Sequence, residues 1–192
     1  MNLPNKLTIL RICLVPFVVA IYLCMSPEVG IIDEVSGLSI RNILVLVIFA
    51  IASITDYFDG MLARKNNWIT SFGKFADPIA DKLLVNTVLI LLASSQAISV
   101  VPVLLMIARD LVVDGLRMSA AKSGEVVSAG WSGKVKTVLQ MVAIIATLLC
   151  NWPFAYLHLP VANILLWAAT AASLYSGFIY FQKLKKYVLE TM

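Results

Sequence analysis

A bundle of six membrane-spanning α-helices is the fold that this sequence predicts, and three observations predict it. Hydrophobic residues fill 60% of the 192 positions before the 9 glycines are counted. Only 14% are charged, against roughly a quarter in an ordinary soluble domain. Apolar stretches of about 20 residues recur along the chain, the length a helix needs to cross the hydrocarbon core of a bilayer. With a mean hydropathy of +0.91, these numbers exclude a typical soluble enzyme, a disordered chain and a nucleic-acid-binding module. The net charge of +4 is therefore read through the distribution of Lys and Arg across membrane loops.

Backbone amides in lipid find no water, so each apolar stretch must bond internally as a helix. The first span is Leu7–Met25, preceded by a short interfacial segment, Asn2–Lys6. Lys6 and Arg11 before an apolar run imitate a signal peptide, but no small-residue cleavage site follows and five more spans do. A loop carrying Glu28, Asp33 and Glu34 leads to the second span, Ile40–Ala63, and the third is Ile79–Ala97. Asp77 before Pro78 suits the N-cap of that third helix. The fourth, fifth and sixth spans are Ile98–Ala120, Lys136–Trp152 and Leu157–Phe181. On the last, Ala169, Ser173 and Gly177 form a ridge of small residues that permits close helix contact. It is read as packing within the bundle, a dimer interface being the other use. No internal repeat or linker divides the chain, so residues 1–192 are expected to form one domain.

If the spans alternate, every Lys and Arg except Arg41 falls on one side. The positive-inside rule then puts both termini and the loops near 64–78 and 119–135 in the cytoplasm, as a multi-pass protein of the cell membrane. Cys13, Cys24 and Cys150 lack the close spacing of a zinc site or disulfide framework and are read as packing residues. The single histidine, His158, is read as an interfacial or loop residue.

The chemically informative run is Asp56-Tyr-Phe-Asp59-Gly60-Met-Leu-Ala63-Arg64, followed by Gly73, Asp77 and Asp81. Asp56 and Asp59 at i,i+3 share one helix face, as do Asp77 and Asp81 at i,i+4. Antiparallel helices joined by a short loop bring the two pairs together. Taken singly, each acid reads as a solvated loop charge or a salt-bridge partner of Arg64, Lys65, Lys74 or Lys82. Together, near hydrocarbon, four carboxylates repel one another unless something positive sits among them. Hard divalent cations favour carboxylate oxygens, and two such ions a few ångströms apart are an established clamp for phosphoryl groups. Without His or Cys ligands, Mg²⁺ or Mn²⁺ fits better than zinc. Gly60 leaves room for a diphosphate beside the backbone, and Arg64 lies one turn further along as a phosphate clamp. Thr70, Ser71 and Gly73 add hydroxyls and open backbone.

This run resembles the signature of the CDP-alcohol phosphotransferases, D-x2-D-G-x2-A-R-x8-G-x3-D-x3-D, at every fixed position. The resemblance implies an integral membrane enzyme of six helices, usually a homodimer, with two divalent metal ions held by Asp56, Asp59, Asp77 and Asp81. Asp81 would double as the base that deprotonates the attacking hydroxyl. Gly60, Arg64 and Thr70 would contact the CDP moiety of a CDP-diacylglycerol donor. The stretch Asn5-Lys-Leu-Thr8 looks like the family's N-terminal nucleotide-contacting segment, which would add Asn5 and Thr8.

The aspartates do not choose the acceptor. The stretch from Arg109 to Arg117, followed by Gly130-Trp-Ser-Gly-Lys134-Val-Lys136, resembles the bacterial branch of the family in which glycerol 3-phosphate is the acceptor. A phosphorylated acceptor requires cations, and Arg109, Arg117, Lys134 and Lys136 converge beside the aspartates if the bundle closes as expected. Their other use is as positive-inside anchors reaching lipid phosphates. Sister transferases acting on inositol phosphate, serine or another phospholipid share the same aspartate chemistry. A cation transporter also carries intramembrane acids, but here the acids gather at one face, and no repeat or broken-helix pair marks a midplane site.

Overall fold

The computed structural model describes residues 3–65, 71–122 and 130–189. Among these residues the chain forms six α-helices: α1 (Leu3–Cys24), α2 (Ile40–Lys65), α3 (Ser71–Ser94), α4 (Val100–Lys122), α5 (Trp131–Leu148) and α6 (Val161–Leu189). By length and composition, segments Asn5–Cys24 of α1 and Val161–Lys185 of α6 are long and apolar enough to cross a membrane.

The boundaries depart from the sequence expectation in several places. Residues from Leu3 onward are already helical and run unbroken into α1, so no break in the helix sets Leu3–Lys6 apart from the first span. Asp77 and Pro78 lie inside α3, which starts at Ser71. Asp77 therefore does not cap the helix, and Pro78, about two turns in, costs one backbone bond without ending it. Two short elements also escaped the apolar pattern: an antiparallel hairpin of β1 (Ile31–Asp33) and β2 (Leu38–Ser39), and a 3-10 turn at Phe154–Leu157. The hairpin turn is held by Asp33, whose carboxylate accepts from the Ser36 hydroxyl at 2.5 Å and from Tyr156 at 2.6 Å. The Ser36 hydroxyl, and after it Tyr156, holds the Asp33 carboxyl below its ordinary pKa.

The helices pack as two groups. α1 lies against α2 and α3, and α6 lies against α4 and α5, with smaller contacts of α3 with α4 and α5 and of α2 with α5 joining them. Val18, Val45, Phe49, Leu89, Met106, Ile144, Leu148 and Leu166 are buried in the shared core. Burying side chains of this size contributes about 1.5–3 kcal/mol each. The outward faces are apolar too: Phe17, Ile51, Ile54, Leu104, Leu111, Ile164 and Phe178 are all more than half exposed. Such a surface is unfavourable in water and suited to lipid.

The small-residue ridge of α6 faces inward. Ala169 and Ser173 are fully buried, and a Cβ built at Gly177 would stand 2.8 Å from the Arg109 Cγ. The ridge is thus a groove for the Arg109 side chain, consistent with packing inside the bundle. Gly177→Ala is expected to displace the stem of that arginine and to destabilise the protein by about 1–3 kcal/mol. Thermal unfolding in detergent measures this, and an unchanged Tm would mean that the arginine yields freely.

Candidate active site

The aspartate-bearing segments lie at the end of α2 and the start of α3. α2 carries Asp56, Asp59, Gly60 and Arg64, and α3 carries Asp77 and Asp81. The side chains of Asp59, Gly60 and Arg64, and the whole of Thr70, lie outside the described residues. The remaining three aspartates have identifiable surroundings, and α1 supplies two of their partners. The Thr8 hydroxyl donates to Asp77 Oδ1 at 2.5 Å, and the Arg11 guanidinium meets Asp56 Oδ1 at 2.5 Å. Thr8 and Arg11 are buried, as is Asn5. Asp81 lies within electrostatic range of Asp56, Arg11, Lys82 and Lys136. Helices α1, α2 and α3 thus meet around Asp56, Asp77 and Asp81.

Among the described residues no three His, Cys, Asp or Glu side chains are drawn into a ready metal cluster. The donor chemistry nevertheless fits a hard divalent cation. Asp56, Asp77 and Asp81 offer carboxylate oxygens from two neighbouring helices, while the contacts from Arg11 and Thr8 orient two of them. An all-oxygen set of this kind suits Mg²⁺ or Mn²⁺.

Next to this zone a cavity of roughly 270 Å³ opens between α3, α4, α5 and α6. Asp81 and Lys82 line it from α3, Arg109, Asp110, Asp114 and Arg117 from α4, Lys136 from α5 and Tyr180 from α6. Three of the four basic residues expected to meet an acceptor phosphate therefore surround one space together with Asp81. The fourth, Lys134, is exposed on the first turn of α5 and is not among the lining residues.

The lining cations differ in how firmly they are engaged. Lys136 Nζ donates to both oxygens of Asp110, at 2.9 and 2.7 Å. Arg109 donates to Asp110 Oδ1 at 2.8 Å, to the Ser173 carbonyl at 2.9 Å and to Ser176 Oγ at 2.7 Å. Asp110 thus serves two cations, and Arg109 bridges α4 to α6. Lys82 pairs with Asp114. Arg117 has no carboxylate partner among the described residues; its NH2 group donates to the Tyr180 hydroxyl at 2.9 Å, and its Nε is buried without a hydrogen-bond partner.

Sequence reasoning missed Arg11, Asp110, Asp114 and Tyr180 as site residues. Arg11 looked like a topological charge, yet it is almost wholly buried in an apolar helix, a position that ordinarily demands a partner. Asp110, Asp114 and Arg117 follow one another at i, i+4 and i+7, a one-face pattern that was readable. Tyr180, in an aromatic and aliphatic run, carried no comparable signal.

A family model described as CDP-alcohol phosphatidyltransferase matches residues 1–175. A protein of Bacillus subtilis (strain 168), named CDP-diacylglycerol–glycerol-3-phosphate 3-phosphatidyltransferase, is 43% identical over 186 residues, covering 95% of this chain and 94% of that protein. One of the same name from Rickettsia bellii (strain RML369-C) is 40% identical, with 97% of each chain covered. Another, from Haemophilus influenzae (strain ATCC 51907 / DSM 11121 / KW20 / Rd), is 34% identical over 196 residues, covering 100% of this chain and 97% of that protein.

Proposed function

The chain belongs to the CDP-alcohol phosphatidyltransferase family, and on that footing we propose that it transfers the phosphatidyl group of CDP-diacylglycerol to sn-glycerol 3-phosphate, yielding phosphatidylglycerophosphate and CMP. The names of its full-length relatives support this reading. The single structural observation that carries it is the cavity in which Asp81 shares a wall with Arg109, Arg117 and Lys136. An anionic acceptor whose hydroxyl must lose a proton requires that combination.

In this reading Asp56, Asp59, Asp77 and Asp81 hold two divalent cations, Mg²⁺ or Mn²⁺, on which the family generally depends. When bound, these ions neutralise the diphosphate of the donor. As the family signature implies, Gly60, Arg64 and Thr70 contact the CDP moiety, and Asn5 and Thr8 belong to the nucleotide-contacting segment. Thr8, being buried against Asp77, also orients that carboxylate. Arg117 receives the acceptor's phosphate, Arg109 and Lys136 add their positive field, and Lys134 approaches from the exposed first turn of α5. An Asp81 carboxylate oxygen takes the proton of the glycerol 1-hydroxyl. The deprotonated glycerol oxygen bonds to the β-phosphorus as the bond from the β-phosphorus to the bridging oxygen breaks, and CMP departs with the bridging oxygen.

The same proposal includes a multi-pass, single-domain protein of the cell membrane with six spans, cytoplasmic termini and a cytoplasmic active site. The apolar outward residues on α1, α2, α4 and α6 support it, as does the one-sided distribution of Lys and Arg. A homodimer is part of the reading, as the family resemblance implies.

The experiment is CMP release from CDP-diacylglycerol in detergent micelles. Release is expected only when glycerol 3-phosphate and Mg²⁺ or Mn²⁺ are both present, and EDTA should abolish it. Turnover that survives exhaustive chelation would overturn the two-metal scheme. Release that responds instead to inositol phosphate or serine would make this a sister transferase.

A further inference from the structure

Tyr180 stands on α6, a helix that carries none of the motif residues, yet it is the buried junction of the acceptor side of the cavity. Its side chain is 3% exposed. The hydroxyl, with two lone pairs, accepts from Arg117 NH2 at 2.9 Å and from the Gly130 backbone N–H at 2.5 Å. Its ring lies 4.7 Å from the Arg117 Cζ and 5.9 Å from the Arg109 Cζ. An aromatic face beside a guanidinium is attractive at these separations. Filling space alone would be served as well by a phenylalanine. A hydroxyl spent on a cavity-lining guanidinium and on the residue that caps α5 is placed for orientation.

We infer that Tyr180 is a positioning residue for the acceptor subsite: it holds Arg117, the lining cation without a carboxylate partner among the described residues, turned toward the cavity. It does so by hydrogen bond and ring contact, and ties that arginine to the entry of α5 at Gly130. The inference rests on the reading of this cavity as the acceptor's. Tyr180 adds no negative charge, so the guanidinium keeps its full positive charge for an incoming phosphate. Asp110, by contrast, is shared by Lys136 and Arg109 and offsets part of their charge.

The test compares Tyr180→Phe, Arg117→Gln and the double variant, with KM for each substrate, kcat and Tm measured for all three. Tyr180→Phe should raise the KM for glycerol 3-phosphate about three- to tenfold, lower kcat by less than that, and leave the KM for CDP-diacylglycerol unchanged. In the double variant the tyrosine change should add nothing to the loss from Arg117→Gln, since both remove one device. If Arg117→Gln raises that KM while Tyr180→Phe does not, or if the two effects multiply, the inference fails and the acceptor reading stands. If Arg117→Gln leaves the KM for glycerol 3-phosphate unaltered, the acceptor reading itself falls. A drop in Tm with kcat and both KM values worsening together would assign Tyr180 a structural role only and overturn the inference.

Discussion

Asp77→Asn is expected to lower the transfer rate at least about 10³-fold at saturating Mg²⁺ while the protein still inserts and purifies. In the proposed site Asp77 is a metal ligand, and the lost charge stabilisation of several kcal/mol converts at about 1.4 kcal/mol per tenfold in rate. The amide can still accept the Thr8 hydroxyl that meets Oδ1 at 2.5 Å, so the local fold has no reason to change. This separates loss of charge from loss of packing. Asp59→Asn should behave alike. The measurement is CMP release alongside thermal unfolding, and substantial activity in either variant would sink the two-metal assignment.

Asp110→Ala is expected to have the largest effect on stability. Asp110 accepts from Lys136 and Arg109, with the side chains of all three only 9–10% exposed. Removing the carboxylate leaves the Lys136 ammonium with no carboxylate at hydrogen-bond distance among the described residues. Breaking a buried pair from one side costs about 3–5 kcal/mol. At about 2–4 °C per kcal/mol for a chain of this size, Tm should fall by roughly 6–20 °C. Arg109 keeps its bonds to Ser173 and Ser176, so the fault lies chiefly with Lys136. Adding Lys136→Met to Asp110→Ala should then recover much of the loss, because the unpaired charge goes with it. A double variant that is less stable than the single one would show that the cost came from packing instead.

Much of this protein is legible in the sequence because membrane helices must satisfy their own backbones. A run such as Leu7–Met25 or Leu157–Phe181 had little choice but to be helical, and α1 and α6 cover most of those stretches. Boundaries were less readable where polar residues prolong a helix beyond its apolar stretch. α3 begins eight residues before Ile79, and α5 begins five before Lys136, since helix propensity does not stop where hydrophobicity does. Asp77-Pro78 imitated a helix start because that pair is favoured there, yet proline is tolerated inside α3. The hairpin at 31–39 is too short to show an alternating pattern.

By itself the sequence determined that four aspartates would sit in two pairs on the faces of two successive helices, and that their signature is the family's. Helical spacing is local, and a loop of few residues leaves neighbouring helices antiparallel. Only the tertiary structure decided which groups those aspartates and cations meet. Arg11 finds Asp56 across α1 and α2, Thr8 finds Asp77 across α1 and α3, and Arg109 reaches α6 through the gap at Gly177. Lys136, in turn, is held by Asp110 on α4 while Lys134, two residues earlier, stays exposed. Each pairing depends on the rotation and height of one helix against another. Those are set by interdigitating side chains along the whole contact, and no short stretch of sequence encodes them.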